Sequence, residues 1–190
     1  MKRSYILGII LVCFIAVTGS VRAQETFTGN VISYGSRAYT GVRTANFTLK
    51  INRSTPDDKA NGFLEMLQSN GQDALLNAVR NEDLGSFSLN QGLSRTINAV
   101  RETNEYGKRH IYVVFERWEQ FNEIRSGRRS LDYPFGYIEL VIDTRTGKGT
   151  GQYFAAAKIR WKKVEAQVEI EDYATFPAKL VNVESNRGRP

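Results

Sequence analysis

The sequence predicts an α+β fold, mainly antiparallel β-sheet, with a helical insertion near residues 55–81. Most segments rich in β-branched and aromatic residues are short and are separated by brief turns such as Glu105-Tyr106-Gly107 and Thr146-Gly147-Lys148-Gly149. Connections that brief join antiparallel neighbours, because parallel strands need crossovers of about a dozen residues. The apolar period switches from two to 3.6 in one region, 55–81, and then returns to strands. The same pattern fits an open sheet carrying helices and a sheet closed into a barrel with a helical insert.

In chain order, the first element is a leader. Met1-Lys2-Arg3 gives a positive start, Ile6 to Val17 is an apolar run of twelve residues, and Val21-Arg22-Ala23 offers a small-residue site. This order is expected of a secretory signal peptide cleaved after Ala23, and the run is short of the roughly 20 apolar residues a membrane span requires. Cys13 lies within the apolar run behind Val12, which argues against lipid attachment. The expected mature chain therefore holds no cysteine. Disulfide frameworks, thiolate metal sites and cysteine nucleophiles are excluded from it. Its expected destination is the periplasm or the extracellular space.

Thr26 to Tyr34 reads as a strand and Gly35 to Gly41 as a turn. Ala45, Phe47, Leu49 and Ile51 then alternate with polar neighbours, as in a half-buried strand. At Ser54-Thr55-Pro56-Asp57-Asp58 the period changes: Thr55 is placed to cap a helix, Pro56 to open it, and the two acids suit its positive end. Ala60, Phe63, Leu64 and Leu67 form an amphipathic stripe. Asn70-Gly71 ends that helix, and Leu75, Leu76 and Val79 mark a second over 72–81. Both helices are expected to lie on the sheet. Strands follow at 86–89, 96–102, 110–116, 135–143, 152–161, 164–172 and 178–183. The segment 117–129 fits a short helix through Trp118, Phe121 and Ile124, or a strand-to-loop excursion. Residues 24–184 are expected to form one domain, and 185–190 a flexible basic tail.

The chain's 41% hydrophobic content, with two Trp, nine Tyr and ten Phe, excludes a disordered polar chain. Lys2, Arg3 and Arg22 fall in residues 1–23, which hold no acid, so 23 basic residues stand against 20 acidic ones in the remainder. That balance, with export, disfavours nucleic acid. The basic segments Arg125-Ser126-Gly127-Arg128-Arg129 and Arg187-Gly188-Arg189 suit attraction to an anionic envelope component.

Several segments invite a chemical reading. Gly147-Lys148-Gly149-Thr150-Gly151 has Gly, not Ser or Thr, after its Lys and precedes a strand, so a hairpin turn explains it better than a phosphate loop. His110, the one histidine, cannot form a two-histidine zinc site, and its position suits an exposed or edge residue. Glu116, Glu119, Glu123, Asp132, Glu139 and Asp143 could supply the carboxylate pair of a hydrolase. Interleaved Arg117, Arg125, Arg128 and Arg129 fit an ordinary solvated face instead. Glu165, Glu169, Glu171 and Asp172 are better read as partners of Lys158, Arg160 and Lys162 across a hairpin than as a calcium site, with Ile159 and Trp161 meeting Val168 and Ile170 on the other face. No metal and no cofactor is expected.

The aromatic residues carry the remaining signal. Tyr112 and Val114 oppose Ile111, Val113 and Phe115, which makes 110–116 apolar on both faces. Either the helices cover the second face or the sheet encloses an aromatic-lined cavity. The expected function is a secreted or periplasmic binding module for an apolar or amphipathic small molecule, with Tyr112, Val114, Trp118, Tyr137 and Trp161 as lining residues. An envelope-associated interaction protein without a pocket and a carboxylate-dependent hydrolase are the alternatives. A sheet closing around unfilled space favours binding; a second face fully packed by the first helix counts against it.

Overall fold

A computed structural model describes residues 24–34, 41–117, 124–125, 127, 129–174 and 176–188. The expected leader and most of 117–129 lie outside them. Two helices, α1 (Asp57–Asn70) and α2 (Gln72–Val79), separate β1 (Glu25–Ser33) and β2 (Arg43–Ile51) from β3 (Gly85–Leu89), β4 (Arg95–Thr96), β5 (Ala99–Glu105) and β6 (Lys108–Glu116). The chain continues as β7 (Phe135–Asp143), β8 (Lys148–Lys162), β9 (Gln167–Asp172) and β10 (Ala178–Ser185). Among the described residues these strands form one antiparallel sheet in the order β4-β3-β2-β1-β10-β8-β7-β6-β5, with β9 branching from β8.

The sheet coils into an open half-barrel, which corrects the closed-barrel alternative. Closure fails because one segment, 95–105, is shared between the two ends of the sheet. Ile97 still belongs to the β3 side: its carbonyl accepts the Leu84 amide at 2.9 Å and its amide donates to the Gly85 carbonyl at 3.0 Å. One residue later the Asn98 amide donates to the Val114 carbonyl of β6 at 3.0 Å. The edges meet at that crossing and cannot zip along their length. Asn98, 3% exposed, holds the point: its amide nitrogen donates to the Glu82 carbonyl at 3.0 Å, and its Oδ1 accepts the Glu116 amide at 2.7 Å.

Strand alternation produces two apolar faces. Inward lie Phe27, Phe47, Phe87, Phe115, Ile138 and Leu140, all nearly free of solvent, so the interior is filled with side chains. Gly149 and Gly151 of β8 permit this packing opposite Ile142 and Leu140. A Cβ at either would lie 2.1 or 2.2 Å from the Val141 or Glu139 carbonyl oxygen. Gly147, with φ of 67°, makes the preceding turn, as the sequence predicts. The outer face carries a second cluster, in which Leu67, Leu75 and Val79 of the helices meet Phe135, Tyr137, Ala157 and Ile159.

The hairpin of β8 and β9 pairs its charges on one surface as expected. Lys158, Arg160 and Lys162 stand opposite Glu171, Glu169 and Gln167, while Ile159 and Trp161 oppose Ile170 and Val168. Arg160 reaches Glu169 at 3.2 Å and Lys162 reaches it at 2.9 Å. Thr55, in contrast, does not cap α1. Its hydroxyl accepts the Val100 amide at 2.9 Å, and its own amide donates to the Val100 carbonyl, which leaves Pro56 at the N-cap with no side-chain bond.

The strongest polar feature spans one mouth of the half-barrel. Glu25 of β1, 2% exposed, accepts from both Arg109 terminal nitrogens at 2.8 and 2.5 Å and from the Ser185 hydroxyl at 2.5 Å. Arg109 Nε also donates to Glu102 at 3.1 Å, and Arg187 approaches Glu25 at 3.2 Å. The segment read as a basic tail thus continues β10 through Arg187 onto β1. Strands β1 and β6 are not neighbours in the sheet, so this network bridges opposite walls. Burial pushes the Glu25 carboxyl up, but the Arg109 and Ser185 hydrogen bonds and the two guanidiniums outweigh it and hold it below its ordinary value of 4.5. Arg109 is likewise held protonated: burial disfavours its charge, and the bonds to Glu25 and Glu102 prevail.

Breaking the network leaves a buried charge without its partner. Arg109→Met is expected to lower unfolding stability by about 3–5 kcal/mol, read from urea melts. The Glu25 contribution is full above its ordinary pKa and is lost as pH falls from about 4.5 through its lower folded value. Below pH 5 the stability of Glu25→Gln is therefore expected to fall less steeply than that of the parent. Parallel acid limbs for the two proteins would contradict the assignment.

Candidate functional site

The sheet's outer face is apolar along a row that runs across the strands. Ala99 stands opposite Val114, Val114 opposite Tyr137, and Tyr137 opposite Phe154. The neighbouring row is polar, with Arg101 opposite Tyr112, Tyr112 opposite Glu139 and Glu139 opposite Gln152. Helix α1 lies above the apolar row without filling the space beneath it. Of its predicted stripe only Leu67, in the C-terminal half, is buried; Ala60, Phe63 and Leu64 keep part of their surface. Between helix and sheet lies a groove of about 460 Å³, partly open to solvent. Its floor includes Tyr112, Val114 and Tyr137, with Ile159, Val168 and Ile170 toward the β8–β9 hairpin.

Three of the predicted lining residues, Tyr112, Val114 and Tyr137, thus meet in one groove. Trp161 belongs to the apolar cluster beside it, partly buried, and is not on the groove wall. Trp118 lies outside the described residues. The sequence reading did not single out Ala60, Phe63 and Leu64 as lining residues, because an amphipathic stripe gives the direction of a helical face but not its distance from the sheet. Arg101, Val168 and Ile170 were also missed. Their signal was the alternation of strands that proved to share the outer face.

Tyr137 is 8% exposed and packs edge-on against Phe154, with ring centroids 5.3 Å apart. Burial, then the nearby Glu139 carboxylate and Tyr112, push its hydroxyl pKa well above the usual value, so it stays a neutral donor. Among the described residues no hydrogen bond reaches that hydroxyl. His110 is not at an edge. It is half-buried on the inner-lying strand β6, between β5 and β7, and stacks on Tyr112 at 6.5 Å.

A second cavity, of about 540 Å³, is polar and is lined by Arg80, Arg95, Asn98, Glu116 and Arg117. Glu116 accepts from Arg80 Nε and a terminal nitrogen at 3.0 and 2.8 Å, a two-point ion pair. Glu116 is the sole carboxylate among the described residues lining this cavity; Glu119 and Glu123, the neighbouring acids of the carboxylate alternative, lie outside the described residues. Asp143 closes a turn, accepting the Thr146 amide at 2.8 Å. Among the described residues no group of His, Cys, Asp and Glu could hold a metal ion.

No protein-family model, curated protein or solved structure matches this chain. The geometry alone therefore carries the functional reading.

Because no hydrogen bond from the described residues reaches the Tyr137 hydroxyl, Tyr137→Phe is expected to change unfolding stability by less than about 0.5 kcal/mol. A loss near the 1 kcal/mol of an intact hydrogen bond, measured by thermal or urea melts, would show that the hydroxyl has a structural partner.

Proposed function

We propose that the chain is an exported binding module for an apolar or amphipathic small molecule, which it holds in the groove between α1 and the outer sheet face. The observation that carries this reading is the incomplete cover. An apolar row of the sheet and the half-exposed stripe of α1 face each other across unfilled space. Leaving that surface wet is unfavourable by about 25 cal/mol per Å² of apolar area, so a ligand that displaces the water gains this amount on binding. The volume of about 460 Å³ lies within the range of roughly 300–1,000 Å³ common to small-molecule sites. The leader pattern of residues 1–23 supports a site of action outside the cytoplasm.

The groove walls are aromatic and aliphatic, with hydroxyls on Tyr112 and Tyr137. Such a lining tolerates variation in the apolar body of a ligand and orients it through few polar contacts. The reading does not depend on an enclosed barrel interior, because the interior is occupied by core side chains.

A neutral solvatochromic dye such as Nile red tests the reading directly. It is expected to bind with a blue shift at one site per chain. Leu64→Glu, at a half-exposed groove position, is expected to weaken that binding at least tenfold while the circular dichroism spectrum stays unchanged. Equal dye affinity for the variant, or no saturable binding by the parent, would count against the groove.

A further inference from the structure

The shape and polarity of the groove narrow its ligand, on the reading that it is a binding site. Its wall runs from Ala99 and Arg101 on β5, across Tyr112 and Val114 on β6 and Tyr137 on β7, to Ile159 on β8 and Ile170 on β9. That path crosses four inter-strand steps of about 4.8 Å, a span of about 19 Å. A path of that length, apolar along most of its wall and polar at one end, suits an extended single-chain ligand.

The two ends differ chemically. At the β9 end the wall is Val168 and Ile170. At the β5 end stand Thr55, Asn61 and Arg101, and Arg101 is the single charged side chain among the described residues of the wall. Arg101 adjoins Tyr112 in the ladder and is ion-paired with Asp57 at the start of α1. Both partners are exposed, at 51% and 84%, so that pair is of the weak, solvent-screened kind. A ligand carboxylate or phosphate offers the same guanidinium a two-point contact. We infer that the groove takes a single-chain amphiphile with an anionic head, its head at Arg101 and its tail under α1 toward Val168 and Ile170. The Tyr137 hydroxyl, midway along the path, is available to a polar group within the chain.

Calorimetric titration of the delipidated protein, below the micellar range of each probe, tests this. The probes are decanoate, dodecanoate, tetradecanoate, tetradecyl phosphate and tetradecyltrimethylammonium. Affinity is expected to rise about fourfold per added methylene along the carboxylates. The two anionic tetradecyl probes are expected to bind at least tenfold tighter than the cationic one. The carboxylate-to-phosphate ratio then shows whether a fatty-acid-like or a phospholipid-like head is preferred. Arg101→Gln is expected to abolish the preference for anions while retaining the dependence on chain length. Equal affinity for anionic and cationic heads, or a preference that survives in Arg101→Gln, overturns the assignment of the head and leaves the binding module standing. Absence of binding by every probe, with Nile red still bound, overturns the single-chain ligand. Absence of both overturns the module itself.

Discussion

Asn98 sits where one segment of chain leaves the β3 edge of the sheet and joins β6, and much of the molecule is arranged around that crossing. The amide side chain cannot be replaced by an apolar residue of similar size without leaving the Glu116 amide and the Glu82 carbonyl without their Asn98 partner in a partly buried setting. The helical insertion is pinned to the same segment at both its ends. Thr55, before α1, exchanges two hydrogen bonds with Val100, and the turn after α2 presents the Glu82 carbonyl to Asn98. The Asn52 amide donates to the Leu84 carbonyl at 2.8 Å and closes the base of the insertion.

This anchoring accounts for the groove. An insertion fixed at its base, and packed on the sheet through Leu67, Leu75 and Val79, leaves the first two turns of α1 held over the outer face. Had Thr55 served as a helix cap, its hydroxyl would have been lost to the sheet and the entry to α1 would have been untethered. The opposite walls of the half-barrel are joined separately, by the Glu25, Arg109 and Glu102 network and by the filled aromatic interior. Stability therefore resides mainly on the inner face, and part of the outer face is left uncovered.

Much of the strand pattern was legible in the sequence, because alternation is a local signal. Phe135–Asp143 begins and ends where its apolar and aromatic run does, and the β8–β9 hairpin follows from charges that can pair in one register only. The two-sided apolar character of Tyr112 and Val114 pointed to a covered or ligand-bearing outer face. The open edge was not legible. Residues 96–102 read as one strand, and nothing local marks Ile97 and Asn98 as the place where it changes partner. That change depends on hydrogen bonds to residues 12 to 18 positions away. Nor does an amphipathic stripe state how closely its helix approaches the sheet. The groove is a property of that standoff, and so it emerged only from the fold.

The most direct test is native mass spectrometry of the protein recovered from its native source, beside a denatured sample. The account predicts a polypeptide mass that begins at Gln24 and a native mass larger by one discrete organic molecule. That added mass should disappear in Leu64→Glu. A native mass equal to the bare polypeptide, for protein that still binds no apolar probe after purification, would contradict the central claim that the groove beneath α1 is a ligand site.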